Sequence, residues 1–300
     1  INDICNIIKP FDKNADKHKY VHESSIIAGS DDMPGAAFLA CKSSFVMGSG
    51  YVSFYTNKDN NKLIDKINIL LPEVVVKDIN QNLGFREAPP EYNWLYCGWN
   101  LIGANTLIGP GSNPNQLEKY FNHNFLEYAQ ANNYIFDAGA IKSIVRNYKK
   151  SKNKYNNILS LLPENCILTP HWGEFQELLF EDYDNIDLRL SFLNKVQKII
   201  SDRIIVLKTF NTFIITKDII YIMNRGPSLL ATAGSGDVLS GILVSLLSQG
   251  YSRLEASILG TYLHAEAANY YMNNISKDGM TASDLIDCIP HAFNALRKND

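Results

Sequence analysis

The 300-residue sequence has few cysteines and no apolar run long enough to cross a bilayer. A membrane-spanning helix needs about 20 consecutive apolar residues, and residues 1–20 lack the charged-then-apolar layout of a signal peptide. The five cysteines are scattered without a C-x-x-C pair or a histidine cluster; they are Cys5, Cys41, Cys97, Cys166 and Cys288. This spacing argues against a disulfide framework and against a structural zinc site. We therefore expect a cytoplasmic protein with free thiols and no membrane partner.

An excess of charge of one sign is also missing. The chain has 28 lysines and arginines against 31 aspartates and glutamates, which gives a net charge of -3. Such a balance provides no positive field for nucleic acid, so we expect no nucleic-acid partner. A hydrophobic fraction of 46% is ordinary for a globular chain. The chain does not begin with Met, so a preceding domain stays an open alternative. We interpret residues 1–18 as an N-terminal extension and residues 19–300 as one domain.

Strand and helix patterns alternate along the sequence. Short apolar runs predict strands at 25–28, 51–55, 101–108, 134–136, 166–169 and 204–207. Helical spacing predicts helices at 34–47, at 117–131, from 175, and from just after Asp237 to a stop at Gly250. It also predicts a helix at 254–269, with a capping-box pattern at Ser252 and Glu255, and another after 281. A hairpin is predicted at 213–216 and 219–223, and the polar segment 146–157 is the one candidate boundary. This alternation predicts an α/β fold, a mostly parallel central sheet flanked by helices on both faces.

Several glycines and polar residues follow predicted strands or precede predicted helices. They are Gly29, Gly109–Gly111, Asp137, His171, Lys208 and Asp237. In an open α/β sheet, ligands bind in the crevice beyond the carboxyl ends of the strands. The sequence therefore predicts a binding site along that edge of the sheet.

The segment ATAGSGDVLSGI (231–242) combines a glycine-rich turn, an aspartate and the start of an apolar helix. A glycine-rich turn at a helix start presents backbone N–H groups that bind an anion. Asp237 follows the turn, and by itself it is more typical of a helix cap than of a catalytic residue. The field at a helix N-terminus favours the ionised carboxylate. We therefore predict that Asp237 is a weak base, and that it is a cap or a catalytic group, two roles that can overlap.

Six motifs together resemble a known family. They occur in order as GSDDMPGAAFLA (29–40), IGPG (108–111), DAGAI (137–141), LTPHWGEF (168–175), VLK (206–208) and ATAGSGDVLSGI (231–242). From about Lys19 onward, the chain resembles the ADP/ATP-dependent NAD(P)H-hydrate dehydratases of the ribokinase-like superfamily. The resemblance implies a ribokinase-like fold and a hydro-lyase (lyase) that repairs hydrated nicotinamide cofactors. It would convert (S)-NADHX or (S)-NADPHX to NADH or NADPH, and ADP to AMP and phosphate.

The resemblance also implies cofactors and partners. The GSGD form resembles the bacterial members, which use ADP, so ADP is the expected phosphoryl donor and ATP the alternative. Mg²⁺ is expected beside the phosphates. The family resemblance further implies a homo-oligomer, by analogy a tetramer, and cooperation with an NAD(P)H-hydrate epimerase.

Matching motifs imply roles for individual residues. Asp237 would be the catalytic base, and it would bind the hydrated cofactor together with Ala36, Gly111 and His171. The implied ADP site consists of Lys208, Thr209, Phe210, Asn211, Thr212 and Gly236. The implied phosphate loop consists of Gly234, Ser235 and Gly236, and Glu174 would hold a metal through water.

Three departures from the family pattern leave alternatives open. Thr209 stands where the family commonly has glycine, Trp172 stands where it has proline, and residues 224–230 lack the usual TGN signature. A small-molecule kinase of the same fold would leave a stable phosphorylated product. A catalytically silent nucleotide-binding protein would bind nucleotide without turnover.

Overall fold

A computed structural model describes residue 7 and residues 22–79, 105–118, 131–150, 157–179 and 193–297. In these ranges nine strands form one sheet in the order β3-β2-β1-β4-β5-β6-β7-β8-β9. The strands are β1 Glu23–Ile27, β2 Tyr51–Thr56, β3 Val75–Asp78, β4 Asn105–Ile108, β5 Asn133–Phe136, β6 Cys166–Leu168, β7 Ile204–Leu207, β8 Thr212–Ile215 and β9 Ile220–Met223. Neighbouring strands from β3 across to β7 are parallel, and β8 and β9 extend the edge in antiparallel fashion.

Helices follow most of the described parallel strands. They are α1 Pro34–Met47, α2 Asn61–Leu70, α3 Pro114–Glu118, α4 Gly139–Lys150, α5 Trp172–Leu179, α6 Ser235–Ser248, α7 Arg253–Asn274 and α8 Ala282–Arg297. Two short 3₁₀ turns cover Ile158–Leu161 and Ser228–Leu230. Among the described helices, none is long and apolar enough to cross a membrane.

Consecutive residues of the central strands pack into two separate cores. Ile135 belongs to the core that includes residues of α1, α6, α7 and α8, whereas Phe136 belongs to the core that includes residues of α4 and α5. Side chains alternate between the faces of a strand, and a parallel sheet buries both faces under helices. The predicted α/β fold with helices on both faces is therefore confirmed.

Helices α1 and α6 touch at a glycine. A Cβ atom at Gly241 would lie 2.0 Å from Ser43 Oγ and 2.4 Å from the carbonyl oxygen of Ala40. No side chain fits at those distances, so only glycine allows this approach of the two helices. The contact fixes α6, whose first turn is the predicted phosphate loop.

Several predicted elements are confirmed closely. Helix α1 has the predicted bounds, and α7 begins with the predicted capping box, in which Ser252 and Glu255 exchange hydrogen bonds of 3.2 and 2.7 Å. The hairpin is confirmed as β8 and β9. Helix α5 begins at Trp172, three residues before the predicted start.

Other sequence predictions differ from the structure or lie outside it. Residues 146–150 of the polar segment 146–157 form the end of α4, and residues 151–156 lie outside the described residues. The predicted helix at 117–131 overlaps the short α3 at two residues and continues through 119–130, outside the described residues. Residues 101–104 of a predicted strand also lie outside, as do residues 1–18 apart from residue 7. The division into extension and domain stays a prediction.

Candidate functional site

The turns after β1 and β4 bring Ala36 and Gly111 together. Gly29, with φ of 72°, donates its N–H to the carbonyl of Pro110 at 2.6 Å. A Cβ atom at Gly111 would lie 2.5 Å from Ala36 Cβ, and Gly111 also has a positive φ of 60°. Both the close approach and the left-handed backbone require glycine here. Two residues predicted to bind the hydrated cofactor therefore share one corner beyond the carboxyl ends of the strands.

Helix α6 begins through a left-handed glycine. Gly234 has φ of 87° and precedes the first helical residue, Ser235, without any side-chain cap. Asp237 is the third residue of the helix rather than its cap, so the interpretation of Asp237 as a cap is wrong. The Ser235 N–H turns back to the carbonyl of Thr232 at 3.3 Å. The next two N–H groups, of Gly236 and Asp237, lie at the open end of the helix, where an anion binds.

Asp237 has an unusual proton affinity. Burial raises the pKa of its carboxyl from 3.8 to about 7; the negative charge of Asp137 adds to this rise and Lys208 opposes it. The prediction that Asp237 is a weak base is therefore wrong, because desolvation outweighs the field of the helix N-terminus. A carboxylate with this pKa is well matched to accepting a proton near neutral pH.

Asp137 connects the end of β5 to both Lys208 and α6. Its Oδ1 accepts hydrogen bonds from Lys208 Nζ at 2.8 Å and from the Ala138 N–H at 3.0 Å. Its Oδ2 accepts a hydrogen bond from Ser240 Oγ at 2.8 Å. The sequence placed Asp137 after a strand but did not indicate its contacts with Lys208 and Ser240, which lie 71 and 103 residues away.

A cavity of about 530 Å³ lies beside the phosphate loop. This volume is within the range of about 300–1,000 Å³ that is common for small-molecule sites. The cavity is lined by most of the residues predicted to bind nucleotide, namely Lys208, Thr209, Phe210, Thr212 and Gly236. Residues 225–228 and 230–232 line the opposite side, and His171 lines the cavity from the end of β6. The structure thus brings the nucleotide candidates together.

Not every predicted site residue lines this cavity. Asn211, Ala36, Gly111 and Asp237 are outside its lining. Asp237 Oδ2 instead lies 3.9 Å from where a Cβ atom of Gly234 would stand. Ser235 and Gly236 of the phosphate loop therefore border the cavity, whereas the next residue, Asp237, lies outside its lining.

His171 and Glu174 form a small reciprocal cap on α5. The Nδ1 atom of His171 accepts the N–H groups of Gly173 at 3.1 Å and Glu174 at 3.3 Å. In return, Glu174 Oε2 accepts the His171 N–H at 3.1 Å, and its Oε1 lies 3.4 Å from His171 Nε2. In the described chain no group of three or more metal-binding side chains occurs. Glu174 is thus an internal partner of His171, and its metal role stays a prediction.

Two of the departures from the family pattern have local structural roles. Thr209 Oγ1 donates a hydrogen bond to the carbonyl of Asn211, which closes the loop after β7. Phe210, at the tip of this loop, is 94% exposed while it borders the cavity. Trp172 packs against Phe175, with ring centroids 5.8 Å apart.

His264 of α7 is a site residue that the sequence analysis missed. Its Nε2 lies 2.9 Å from the carbonyl oxygen of Ser235 and 3.2 Å from Ser235 Oγ. Burial lowers the pKa of the imidazole from 6.5 to about 4, so the ring is neutral at physiological pH. A neutral ring meets the carbonyl by donating its Nε2–H. A lone histidine within an apolar helix pattern gives no sequence signal for such a contact.

Comparisons with known proteins agree with this arrangement. A family model described as NAD(P)H-hydrate dehydratase matches residues 24–291. The bifunctional NAD(P)H-hydrate repair enzyme of Helicobacter pylori is 32% identical over 92% of this chain and 51% of the relative. The ADP-dependent (S)-NAD(P)H-hydrate dehydratase of Neisseria meningitidis serogroup B is 29% identical over 85% of this chain and 79% of the relative. The chain spans about half the length of the bifunctional relatives that it matches first.

Solved structures show the same fold. The ADP/ATP-dependent NAD(P)H-hydrate dehydratase of Bacillus subtilis, co-crystallised with ATP/Mg²⁺ and soaked with CoA, has a TM-score of 0.74 at 22% identity and covers 98% of this chain and 97% of its own. A ribokinase-like superfamily protein from Enterococcus faecalis has a TM-score of 0.76 at 19% identity, over 99% and 95% of the two chains. The prediction of a ribokinase-like fold is confirmed.

Proposed function

The chain belongs to the NAD(P)H-hydrate dehydratase family, and from this we propose that it is a nucleotide-dependent hydro-lyase. Its substrates are (S)-NADHX and (S)-NADPHX, which carry a hydroxyl on the reduced nicotinamide ring. The terminal phosphoryl group of ADP passes to that hydroxyl and leaves AMP. Phosphate then departs with the ring oxygen, and loss of a ring proton restores NADH or NADPH. The products are therefore AMP, phosphate and the reduced cofactor.

One observation carries this proposal: a carboxyl group with a pKa near 7 stands in the first turn of a helix beside a lysine. Asp237 provides the carboxyl, and the unpaired end of α6 provides N–H groups for a phosphoryl group. Lys208 Nζ would lie 3.3 Å from a Cβ atom at Gly236, so its charge is at the loop itself. A base, an anion site and a cation therefore meet at the start of α6, and these are the groups that phosphoryl transfer to an alcohol requires.

Each group then has a distinct task. Asp237 accepts the proton of the ring hydroxyl as its oxygen bonds to phosphorus. The N–H groups of Gly236 and Asp237 and the ammonium of Lys208 stabilise the negative charge that develops on the phosphoryl oxygens. ADP occupies the cavity of about 530 Å³ next to Lys208 and Thr212, and Ala36 and Gly111 contact the hydrated cofactor.

Mg²⁺ enters with the nucleotide in this proposal. Mg²⁺ commonly keeps several waters and is bound through substrate phosphates and one or two carboxylates. Both oxygens of Glu174 face His171, and the Glu174 side chain is only 3% exposed. The described residues therefore fit an ion that is held mainly by phosphates and water. When bound, this ion would neutralise part of the phosphate charge.

Return of reduced-nicotinamide absorbance tests the proposal. Purified protein is incubated with hydrated NADH or hydrated NADPH, Mg²⁺ and either ADP or ATP, while AMP and phosphate are measured. We expect recovery of absorbance with one AMP and one phosphate formed per ADP used. A stable phosphorylated product without recovery would instead identify a small-molecule kinase. Nucleotide-dependent thermal stabilisation without any turnover would identify a silent nucleotide-binding protein.

The assembly and location of the protein are part of the same proposal. It acts in the cytoplasm as a homo-oligomer, a tetramer by family analogy, and shares its substrate with an epimerase that interconverts the two hydrate epimers. Relatives called bifunctional repair enzymes, about twice as long as this chain, support the link with a second repair activity. Light scattering of the purified chain tests the tetramer, and addition of a purified epimerase to the assay with racemic hydrate tests the cooperation.

A further inference from the structure

Asp137 is a buried carboxylate with no role in the reaction as proposed so far. Its side chain is 1% exposed. Burying an ionised carboxylate costs several kcal/mol unless charged or hydrogen-bonding partners compensate. Three donors do so here: the ammonium of Lys208, the N–H of Ala138 and the hydroxyl of Ser240. The carboxylate is therefore held in one orientation from three sides.

Lys208 gains a fixed position from this contact. A lysine side chain has a flexible four-carbon stem and loses considerable rotamer entropy when it is fixed. The Lys208 Nζ lies 2.8 Å from Asp137 Oδ1 and next to Gly236, with the side chain 22% exposed. The ammonium thus keeps an accessible side toward the cavity while its other side is anchored.

Ser240 connects the same carboxylate to the phosphate-loop helix. It lies one turn after Gly236 in α6 and donates its hydroxyl hydrogen to Asp137 Oδ2 at 2.8 Å. The end of β5, the end of β7 and the first turns of α6 are thereby connected through one carboxyl group. A shift of α6 relative to Lys208 would break one of two short hydrogen bonds.

We propose that Asp137 is a positioning residue, which fixes the Lys208 ammonium beside Gly236 and ties it to α6 through Ser240. This inference rests on the proposed function, because it assigns Lys208 to the transferring phosphoryl group. Asp137 itself does not touch the reacting atoms. Both of its oxygens are engaged by protein donors, so it acts through Lys208 rather than through a bound metal.

A second consequence concerns the charge at Asp237. The charged groups that act on this carboxyl are Asp137, at the end of β5, and Lys208, at the end of β7; the N-terminus of α6 is the nearby helix dipole. The negative charge of Asp137 raises the pKa of Asp237, and Lys208 lowers it. Removing the charge of Asp137 leaves Lys208 unopposed, so Asp237 will release its proton at a lower pH.

The test uses Asp137→Asn, with Asp202→Asn as the matched control. Asp202 forms an exposed ion pair with Lys217 at 2.6 Å, so the control removes a carboxylate–lysine pair from the surface. For Asp137→Asn we expect kcat to fall about tenfold to a hundredfold, since small misplacements cost this much. The KM for ADP should stay within about threefold, because Lys208 remains present and its positive charge, no longer paired with Asp137, can still attract the phosphates. The rising limb of the pH profile of kcat/KM should move to lower pH.

A readout without turnover separates this inference from the proposed function. An ammonium group fixed in an ion pair exchanges its protons slowly, so Lys208 should give a resolved ¹⁵N–¹H signal at low temperature, assigned by its loss in Lys208→Met. The signal should be lost in Asp137→Asn and kept in Asp202→Asn. If the wild-type protein shows this signal but no dehydration, the proposed function fails while the positioning of Lys208 stands.

Several results would overturn the inference. An unchanged kcat in folded Asp137→Asn would do so, and so would an unchanged Lys208 signal in that variant. A raised Mg²⁺ requirement as the sole change would also do so, because it would identify Asp137 as a metal ligand. Should Asp137→Asn fail to fold, Ser240→Ala decides, because it keeps the charge and removes one hydrogen bond. A severalfold lower kcat at unchanged KM in Ser240→Ala supports the inference, and wild-type kinetics contradict it.

Discussion

His171 and Lys208 pair as a single parallel bridge beyond the ends of β6 and β7. The family resemblance implies different ligands for these two residues, the hydrated cofactor for His171 and ADP for Lys208. Both line the same cavity. Under the proposed assignments the two substrates would approach each other at neighbouring strand ends, which is the geometry that direct phosphoryl transfer between them needs.

Asp237→Asn should abolish turnover and leave nucleotide binding intact. The amide has nearly the same shape as the carboxyl, but it cannot accept the hydroxyl proton, so we expect kcat to fall by about 10²-fold or more. Folding is checked by circular dichroism and ADP binding by calorimetry. Turnover at the wild-type rate would show that Asp237 is not the base.

The activity of the wild-type protein should depend on pH through Asp237. The base works in its deprotonated form, and burial raises the pKa of Asp237 to about 7. We expect kcat/KM to rise with pH, to reach half its maximum near pH 7 and to level off at about pH 8. A profile measured from pH 5 to 9 tests this. A rising limb centred near pH 4, the ordinary range of an aspartate, would contradict the assignment.

Gly236→Ala should separate activity from stability. A Cβ atom there would lie 3.3 Å from Lys208 Nζ and 4.0 Å from its Cε, directly at the proposed phosphate position. Alanine within a helix removes unfolded-state freedom, so the free energy of unfolding should stay equal or rise by up to about 1 kcal/mol. At the same time kcat/KM should fall. Gly279→Ala is the control, because nothing lies within 4 Å of the new Cβ. Its free energy of unfolding should likewise stay equal or rise slightly, but its kcat/KM should not change.

His264 and Asp237 should give opposite pH dependences of stability. The pKa of His264 is lowered from 6.5 to about 4, so between these values the unfolded state binds more protons, and stability rises with pH. The pKa of Asp237 is raised from 3.8 to about 7, so the folded state binds more protons, and stability falls with pH. In wild-type protein the two contributions largely cancel between about pH 4 and 6.5.

Single substitutions should therefore reveal the separate contribution of each residue to the pH dependence of the free energy of unfolding. Relative to wild type, His264→Gln should lose less stability at pH 4.5 than at pH 6.5, whereas Asp237→Asn should gain more at pH 6.5 than at pH 4.5. Urea unfolding at the two pH values measures both differences. Identical shifts at both pH values, for either variant, would argue against the perturbed proton affinity of that residue.

Local patterns were sufficient to predict most of the described fold. Helix α1 was readable because Pro34 marks its first turn and a glycine follows its last residue. The capping box of α7 was readable for the same reason, since Ser252 and Glu255 are close in sequence. Helix starts and strand ends depend on contacts of a few residues, and these are visible in the sequence itself.

The electrostatics of the site were not readable in this way. Asp237 was predicted to be a weak base from its place in α6, but its pKa depends on burial and on Asp137, which is 100 positions earlier. His264 likewise reaches Ser235 across 29 positions. Desolvation and long-range pairing arise only when the strands and helices assemble, so sequence spacing alone gives no measure of them.

Gly241 shows how the interior of the protein can control chemistry at its edge. With no atom beyond its Cα, it lets α6 rest directly on the backbone of α1 at Ala40. That contact sets the height at which the first turn of α6 stands above the strand ends. A single added methyl group there would displace α6 and, with it, the N–H groups proposed to bind phosphate, so a defect in turnover can originate from a residue that lines no proposed ligand site.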